Sequence, residues 1–238
     1  MTDVAKLKGN ISTAISILQW EMSDMMGHVS TRTPDRKHFL LRHIRPPLDP
    51  SVPEDDVLEF DMDGKRISGR REAGGSGFEI YFYTCPYKAR ENVGAVIHTH
   101  PPMAVALIAA GGRIRAFHHR HKFGEIPVVP WVYGSLPEHG ELITKAMGDN
   151  CAVLIEGHGA VVTGETLEEA CVNMVQLERA AKMILATGSL GKVKAIPQDA
   201  LDKFQSLVEV RQTRSGNPLA EWRFYETLLK RGERWSRL

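Results

Sequence analysis

The sequence predicts an α/β/α fold in which a mixed central β-sheet is flanked by helices. Strand-type and helix-type patterns alternate along the chain without a strict repeat, which favours this layered class. The 238 residues contain no internal repeat, no low-complexity linker and no clear boundary. Hydrophobic residues make up 42 % of the chain and charged residues 25 %, close to the average of globular proteins. We therefore expect a single domain over residues 1–238.

A helix is expected first, and short strands follow it. Apolar residues recur at steps of three and four between Leu7 and Met25, which predicts one continuous helical face with Gly27 as its C-cap. The strands expected next are at 28–32, 38–42 and 57–61. The dipeptide Asp63-Gly64 is typical of a hairpin turn and ends the third strand.

A glycine-rich segment at 74–77 precedes the next helix, which we expect to begin near Phe78 and to be ended or kinked by Pro86. The elements expected after it are a strand ending at His98, a helix at 102–110, a strand at 126–130, a helix at 137–147 and strands at 152–155 and 160–163.

Three helices are predicted in the last third of the chain. Thr166 and Glu169 have the spacing of a capping box and start a long helix that ends near Thr187. Two further helices are expected, one beginning at Pro197 and the other after Asn217-Pro218.

The most informative motif is His98-Thr99-His100, which ends an apolar strand. Residues i and i+2 of a strand share a face, so these two imidazoles can point at one place. His158 lies between two glycines, which permit a close approach of the backbone. Three protein ligands with an open position are typical of a catalytic metal site. The alternative is a set of polar residues satisfied by their neighbours at a strand end.

Glu79 is the second notable residue, because it lies in the otherwise apolar stretch 77–82. From the residues alone it is either a solvent-facing charge at a helix N-terminus or a functional acid and base.

Composition argues against several classes of partner. Thirty basic and 29 acidic residues give a formal net charge of +1, with no basic stripe for nucleic acid. The sequence contains no apolar run of about 18 residues, so no membrane span is expected, and residues 1–6 lack a hydrophobic signal core. The three cysteines, Cys85, Cys151 and Cys171, form no CxxC pair, which favours reduced thiols in a cytoplasmic protein.

Five motifs in order along the chain resemble those of the class II aldolase/adducin-domain family. They lie at 27–32, 55–64, 79–81, 95–102 and 157–170, and the similarity covers roughly residues 7–187. The resemblance implies a class II aldolase-like domain whose core is 7–187, with C-terminal helices at 197–238 packing on that core or on a neighbouring subunit.

The resemblance also implies a site. The family's metal-binding histidines correspond to His98, His100 and His158 of this chain. The family's catalytic glutamate, which can also ligate the resting metal, corresponds to Glu79. The implied cofactor is a divalent metal ion: zinc in the aldolases, and manganese, magnesium or iron in related decarboxylases. A homotetramer with sites near subunit interfaces is the implied assembly, and a small molecule is the implied partner.

The chain departs from the family where sugar-phosphate enzymes bind phosphate. It has Gly27-His28 in place of G-N, residues 42–47 in place of P-S-G, and Gly77-Phe78 in place of S-S. A phosphorylated sugar is therefore not expected. Arg42 and Arg45 can instead pair with a substrate carboxylate, the alternatives being solvent exposure or a salt bridge between subunits.

This pattern resembles the branch of metal-dependent decarboxylases that act on hydroxylated aromatic dicarboxylates, a reaction of aromatic compound catabolism. His28, His118 and His119 are further candidates for substrate contact; for the last two, the alternatives are independent metal ligands or a polar loop.

We therefore expect a non-oxidative decarboxylase, a lyase in which Glu79 transfers a proton at carbon. We expect its apolar neighbours to raise the pKa of Glu79 once substrate takes up the metal's charge. The alternative is an aldolase acting on a non-phosphorylated hydroxy-keto acid. An iron-dependent oxygenase and a non-catalytic adducin-like module are the more distant alternatives.

Overall fold

A single sheet of eight strands forms the centre of the protein. The computed structural model describes residues 3–22, 26–43, 57–69, 79–116, 123–188, 191, 194–211 and 217–231. The strands are β1 His28–Arg32, β2 His38–His43, β3 Leu58–Asp61, β4 Arg66–Ser68, β5 Ala95–Thr99, β6 Val128–Val129, β7 Ala152–Ile155 and β8 Gly159–Gly164. The helices are α1 Asp3–Met22, α2 Tyr81–Ala89, α3 Pro102–Ala109, α4 Pro137–Met147, α5 Leu167–Gly188, α6 Gln198–Arg211 and α7 Pro218–Arg231.

The sheet is mixed, as the sequence predicts. Its strand order is β4-β3-β2-β1-β5-β8-β7-β6. The β6–β7 pair is parallel, and the other pairs are antiparallel. The central strand β5 therefore lies between β1 and β8, where His98 is opposite His28 on one side and Val161 on the other.

Alternating side chains of the strands supply two hydrophobic layers. Val29 and Ile97 point to the face covered by α1, α3, α5 and α7, whereas Val96 points to the face covered by α2 and α4. His98 is two residues from Val96, so its side chain lies on the α2 face. The C-terminal helix α7 packs on the first face through Trp222 and Tyr225, which are both buried.

Most of the elements predicted from the sequence are confirmed, several of them to the residue. The predicted capping box at the start of α5 is present in a variant form, because Glu169 pairs with the N–H of the residue before Thr166. The N–H of Glu169 donates to Thr166 Oγ1 at 3.1 Å, and Glu169 Oε2 accepts the N–H of Glu165 at 2.9 Å. Two otherwise unsatisfied donors at the helix N-terminus are thereby paired.

Two local predictions are wrong. Helix α2 begins at Tyr81 rather than near Phe78, and it continues past Pro86 to Ala89, so Pro86 does not end it; a kink at Pro86 stays a prediction. Strand β6 spans only Val128–Val129, since the flanking prolines have no N–H for a ladder. Gly27 has a φ of 110° and leads directly into β1; because residues 23–25 lie outside the described ranges, its role as the C-cap of α1 stays a prediction.

The sequence also misses strand β4, which is exposed throughout and has no apolar alternation. Within the described ranges, no helix is both long and apolar enough to cross a bilayer.

Candidate metal centre

Three histidines converge at the end of β5. His98 lies within the strand, His100 directly follows it, and His158 lies in the turn that joins β7 to β8. One ring nitrogen from each comes within 4.8 Å of the other two. The ring centroids are 4.8–5.4 Å apart, so the three side chains surround one small volume.

Backbone carbonyls orient two of these rings. His98 Nδ1 lies 2.9 Å from the Ala160 carbonyl oxygen, and His158 Nδ1 lies 2.7 Å from that of Val132. A carbonyl only accepts, so Nδ1 carries the hydrogen in both rings and Nε2 keeps its lone pair. A backbone carbonyl on the outer nitrogen of a metal-ligating histidine is the usual way of presenting the inner nitrogen.

Gly159 allows the His158 turn to approach the end of β5. A Cβ atom at this position would lie 2.4 Å from the Thr99 carbonyl oxygen and 3.1 Å from His100 Cδ2. The first distance is far below van der Waals contact with a fixed backbone atom. The sequence predicts that the glycines flanking His158 permit a close approach of the backbone. At Gly159 the reason is steric, because a Cβ atom would collide with the Thr99 carbonyl oxygen.

Glu79 lies just before α2 and reaches the same volume. Its Oε1 atom is 3.1 Å from His158 Nε2 and 3.5 Å from His98 Nε2. Its Oε2 atom is 3.4 Å from His28 Nδ1. The carboxylate is only 8 % exposed, and the His98 side chain is fully buried.

Burial raises the pKa of Glu79, but its close contacts with the His158 and His98 rings, and with nearby His28, lower it by more. The net pKa is therefore well below its usual range, and the group is ionised. This is opposite to the rise that we expect with substrate bound, because the imidazoles here face the carboxylate directly. Burial lowers the pKa of His98, against the opposing effect of Glu79, and favours the neutral ring that a metal ligand requires.

The residues present fit a divalent cation. Among the described residues, none offers His98 Nε2 a hydrogen bond, although this atom is buried. Neutral rings protonated at Nδ1 have no Nε2 hydrogen to donate to Glu79, so lone pairs face lone pairs across the centre. A cation or an additional proton is needed between them. Imidazole nitrogens with a carboxylate oxygen suit zinc, iron and manganese.

His28 lies beside this centre. It is opposite His98 in the β1–β5 ladder, and the two rings are stacked with centroids 6.5 Å apart. The Tyr83 ring meets the His28 ring edge-on at 5.8 Å. The predicted role of His28 in substrate binding stays a prediction, but its position is next to Glu79.

Arg42 is not brought into the centre. It lies opposite Val29 in the β1–β2 ladder, and its Nη1 atom donates to Ser12 Oγ of α1 at 2.7 Å. Its side chain is thus on the α1 face of the sheet, away from Glu79. Arg45, His118 and His119 lie outside the described residues, so their predicted contacts stay predictions.

The sequence reasoning misses two aromatic residues. The Tyr133 ring is stacked on His158 at a centroid distance of 5.7 Å and an angle of 11°. Trp131 is stacked on Tyr133 at 6.2 Å. Both are exposed, at 42 % and 62 % respectively. The sequence does contain a signal for them. They are two residues apart directly after Pro130, and residues i and i+2 of an extended segment lie on the same side.

Curated proteins similar to this chain include carbon–carbon bond-cleaving enzymes of two kinds. The chain is 30 % identical to 3,4-dihydroxyphthalate decarboxylase of Arthrobacter keyseri, over 77 % of this chain and 79 % of that protein. It is 24 % identical to 5-deoxy-D-ribulose 1-phosphate aldolase of Bacillus thuringiensis serovar kurstaki (strain HD73), over 65 % of this chain and 72 % of that protein.

The fold and the family are both supported by comparison. A solved structure of L-fuculose 1-phosphate aldolase matches 86 % of this chain and 96 % of its own with a TM-score of 0.75, at 20 % identity, which establishes similarity of fold. The family model described as the class II aldolase and adducin N-terminal domain matches residues 13–185. With the predicted histidines and glutamate gathered inside that span, the chain belongs to the class II aldolase and adducin N-terminal domain family.

Proposed function

We propose that this protein is a divalent-metal-dependent carbon–carbon lyase that decarboxylates a hydroxylated aromatic carboxylate or dicarboxylate. The observation that carries the proposal is the convergence of His98, His100, His158 and Glu79 on one volume, with two of the rings oriented by backbone carbonyls. Ionised Glu79 facing the Nε2 atoms of His98 and His158 requires a positive charge at this place, which a bound metal ion would supply.

The proposed cofactor is a manganese, zinc, magnesium or iron ion held by the three histidines, with Glu79 as an additional ligand at rest. Such an ion supplies a Lewis acid that draws electron density from a substrate oxygen. The remaining steps are assigned to the protein's own side chains.

Glu79 is proposed to move the proton. It is ionised at rest, and we expect its apolar neighbours to raise its pKa with substrate bound, so that it can then accept the proton of a substrate hydroxyl. When the bond between the ring carbon and the carboxylate breaks, carbon dioxide leaves and the electron pair stays on the carbon. Glu79 returns its proton to that carbon, and the hydroxyl regains a proton from solvent. His28, 3.4 Å from Glu79 Oε2, is suited to orient the carboxylate during both transfers.

Two features support an aromatic, carboxylated substrate. The relative in Arthrobacter keyseri, which matches more than three quarters of this chain, is a decarboxylase whose name specifies a dihydroxylated phthalate. The exposed rings of Tyr133 and Trp131 beside His158 offer an aromatic surface at the centre.

Aldol cleavage of a non-phosphorylated hydroxy-keto acid is the second candidate, because the aldolase relative is similar over most of its length. The same side chains serve this reaction, since it also leaves an electron pair on a carbon that Glu79 can protonate. The substrate named for that relative is phosphorylated, whereas this chain has a histidine at position 28 in place of the family's asparagine.

The single-domain organisation and a homotetramer with sites near its interfaces are also proposals. Sedimentation of the purified protein tests the tetramer.

The test is a panel of hydroxylated benzene and pyridine dicarboxylates incubated with the protein and Mn²⁺, under anaerobic conditions and in parallel in air, with carbon dioxide measured. A parallel panel of hydroxy-keto acids is assayed for pyruvate. The proposal requires carbon dioxide release that depends on metal and is lost in Glu79→Gln. Pyruvate without carbon dioxide would establish the aldolase instead, and turnover only in the presence of oxygen would exclude both.

A further inference from the structure

Glu178 is a buried carboxylate that the proposed reaction does not use. It lies in the middle of α5 and is only 1 % exposed. Both of its oxygens accept the N–H of Met103, at 3.2 and 3.1 Å, and Oε2 also accepts the N–H of Ala104 at 3.1 Å. The two donors belong to the first turn of α3.

Helix α3 cannot cap its own N-terminus. Its N-cap residue is Pro101, whose side chain makes no capping hydrogen bond, and its first residue is Pro102, which has no N–H. The N–H groups of the next two residues therefore need an acceptor from elsewhere. A carboxylate supplies that acceptor and also places negative charge at the positive end of the helix dipole. The Lys182 ammonium, 3.9 Å from Oε1, only partly balances this buried charge.

The capped turn is joined directly to a candidate metal ligand. Strand β5 ends at Thr99, so His100 lies beyond the ladder that holds His98 between β1 and β8. The backbone that follows His100 is Pro101-Pro102, whose φ angles are restricted by their rings. A displacement of the α3 N-terminus is therefore transmitted to His100 through few adjustable torsions.

We propose that Glu178 is a positioning residue for His100, acting from the opposite face of the sheet by fixing the first turn of α3. The inference rests on the proposed metal site. Glu178 is buried in the α3–α5 layer, whereas Glu79 and His98 lie on the α2 face. It therefore touches neither substrate nor metal, and its effect passes entirely through the Met103 and Ala104 amides.

The variants that test this are Glu178→Leu, which removes the acceptor, and Glu178→Gln, which keeps one acceptor oxygen. The matched control is Glu21→Gln, which removes a carboxylate of the same layer that pairs with Arg179 at 2.9 Å. Burial raises the pKa of Glu178 and the negative charge of Glu21 raises it further, so removing that charge leaves the Glu178 carboxylate ionised and the cap on α3 in place. The Mn²⁺ dissociation constant is measured by electron paramagnetic resonance without substrate. Loss of a group that supports a ligand typically weakens metal binding by about 10- to 100-fold. We expect that for Glu178→Leu, a smaller loss for Glu178→Gln, and wild-type affinity for Glu21→Gln.

A second readout does not depend on metal. In the metal-free protein, the ring resonances of His100 in a ¹H–¹³C spectrum should shift in Glu178→Leu, shift less in Glu178→Gln and stay unchanged in Glu21→Gln. If wild-type protein binds no Mn²⁺, the metal-centre proposal fails, while this spectrum still decides the role of Glu178. An unchanged His100 spectrum in Glu178→Gln and Glu178→Leu, or equal changes in Glu21→Gln, would overturn the inference. If Glu178→Leu does not fold, the comparison of Glu178→Gln with Glu21→Gln decides it.

Discussion

The Nε2 atom of His158 lies 3.1 Å from Oε1 of Glu79, while Nδ1 of the same ring lies 2.7 Å from the Val132 carbonyl oxygen. Because a carbonyl oxygen only accepts hydrogen bonds, the His158 ring carries its hydrogen on Nδ1. A neutral ring then presents a lone pair to an ionised carboxylate. The pair is stable only when a positive species lies between the two atoms, or when the imidazole holds a second proton. The centre is thus arranged around a charge that it must receive.

Replacing Glu79 by glutamine should separate metal binding from turnover. The three imidazoles remain, so we expect Glu79→Gln to bind Mn²⁺ in equilibrium titration. Its amide cannot carry the proton, so turnover should fall by about 10²- to 10⁴-fold, the usual contribution of a positioned acid or base. The control is Glu59→Gln, which alters a carboxylate 3.1 Å from His38 on β2 and should keep full activity. Wild-type turnover by Glu79→Gln would remove Glu79 from the mechanism.

Removing any one of the three histidines should abolish stabilisation by metal. At a free metal concentration of about 100 times its dissociation constant, binding stabilises a protein by about 2.7 kcal/mol, which is roughly 5–10 °C in Tm for a chain of this size. We expect that increase for wild type in a thermal unfolding scan with Mn²⁺ or Zn²⁺. His98→Ala, His100→Ala and His158→Ala should each lose most of it.

The matched variant for this experiment is His38→Ala, because His38 is on the same sheet but pairs with Glu59 outside the centre. It should keep the full increase in Tm. If His98→Ala, His100→Ala or His158→Ala retained the wild-type increase in Tm, the metal would have to bind elsewhere.

Adding a methyl group at Gly159 should damage the centre sterically. Its Cβ would lie 2.4 Å from the Thr99 carbonyl oxygen, so the His158 turn and the end of β5 must separate. Overpacking of this kind costs about 1–3 kcal/mol, and we expect Gly159→Ala to lose that in urea unfolding and to bind metal more weakly. Gly9→Ala is the control, because no atom lies within 4 Å of the added carbon in α1. It should gain about 0.5–1 kcal/mol, and equal losses in both variants would contradict the steric explanation.

The candidate ligands could be predicted because their signals are local. The apolar strand with His98 and His100 two residues apart, and His158 between glycines, need only the period of a strand and the size of glycine. The position of Glu79 followed from the resemblance of residues 79–81 to a known family motif. Sequence spacing does not predict which backbone carbonyls orient the His98 and His158 rings, and the structure identifies them.

Features that depend on tertiary structure could not be predicted from the sequence. Which face of the sheet Arg42 occupies depends on the β1–β2 register, and a shift of one residue reverses it. Helix α2 begins at Tyr81 rather than near Phe78, and the N–H of Tyr81 donates to the carbonyl oxygen of Gly134, a residue distant in sequence. Glu178 is 75 residues from Met103 in sequence, and a glutamate inside a helix gives no local sign that it caps another helix.

Arg42 and His28 provide the last test, because the sequence proposes both as substrate contacts and the structure places them on opposite faces of the sheet. His28 Nδ1 lies 3.4 Å from Glu79 Oε2, so His28→Ala frees the carboxylate on one side, and we expect turnover to fall by about 10- to 100-fold with little loss of metal binding.

Arg42 donates to Ser12 Oγ on α1 and lies away from Glu79. For Arg42→Ala we expect a change in kcat/KM of no more than about twofold, or ~0.4 kcal/mol. Steady-state kinetics with the substrate found in the panel measure both variants, and urea unfolding corrects for lost stability. A large increase in KM for Arg42→Ala would contradict this expectation. It would mean that the Arg42 guanidinium leaves Ser12 to reach the substrate of its own or a neighbouring subunit, as the chain's departure from the family's P-S-G segment first suggested.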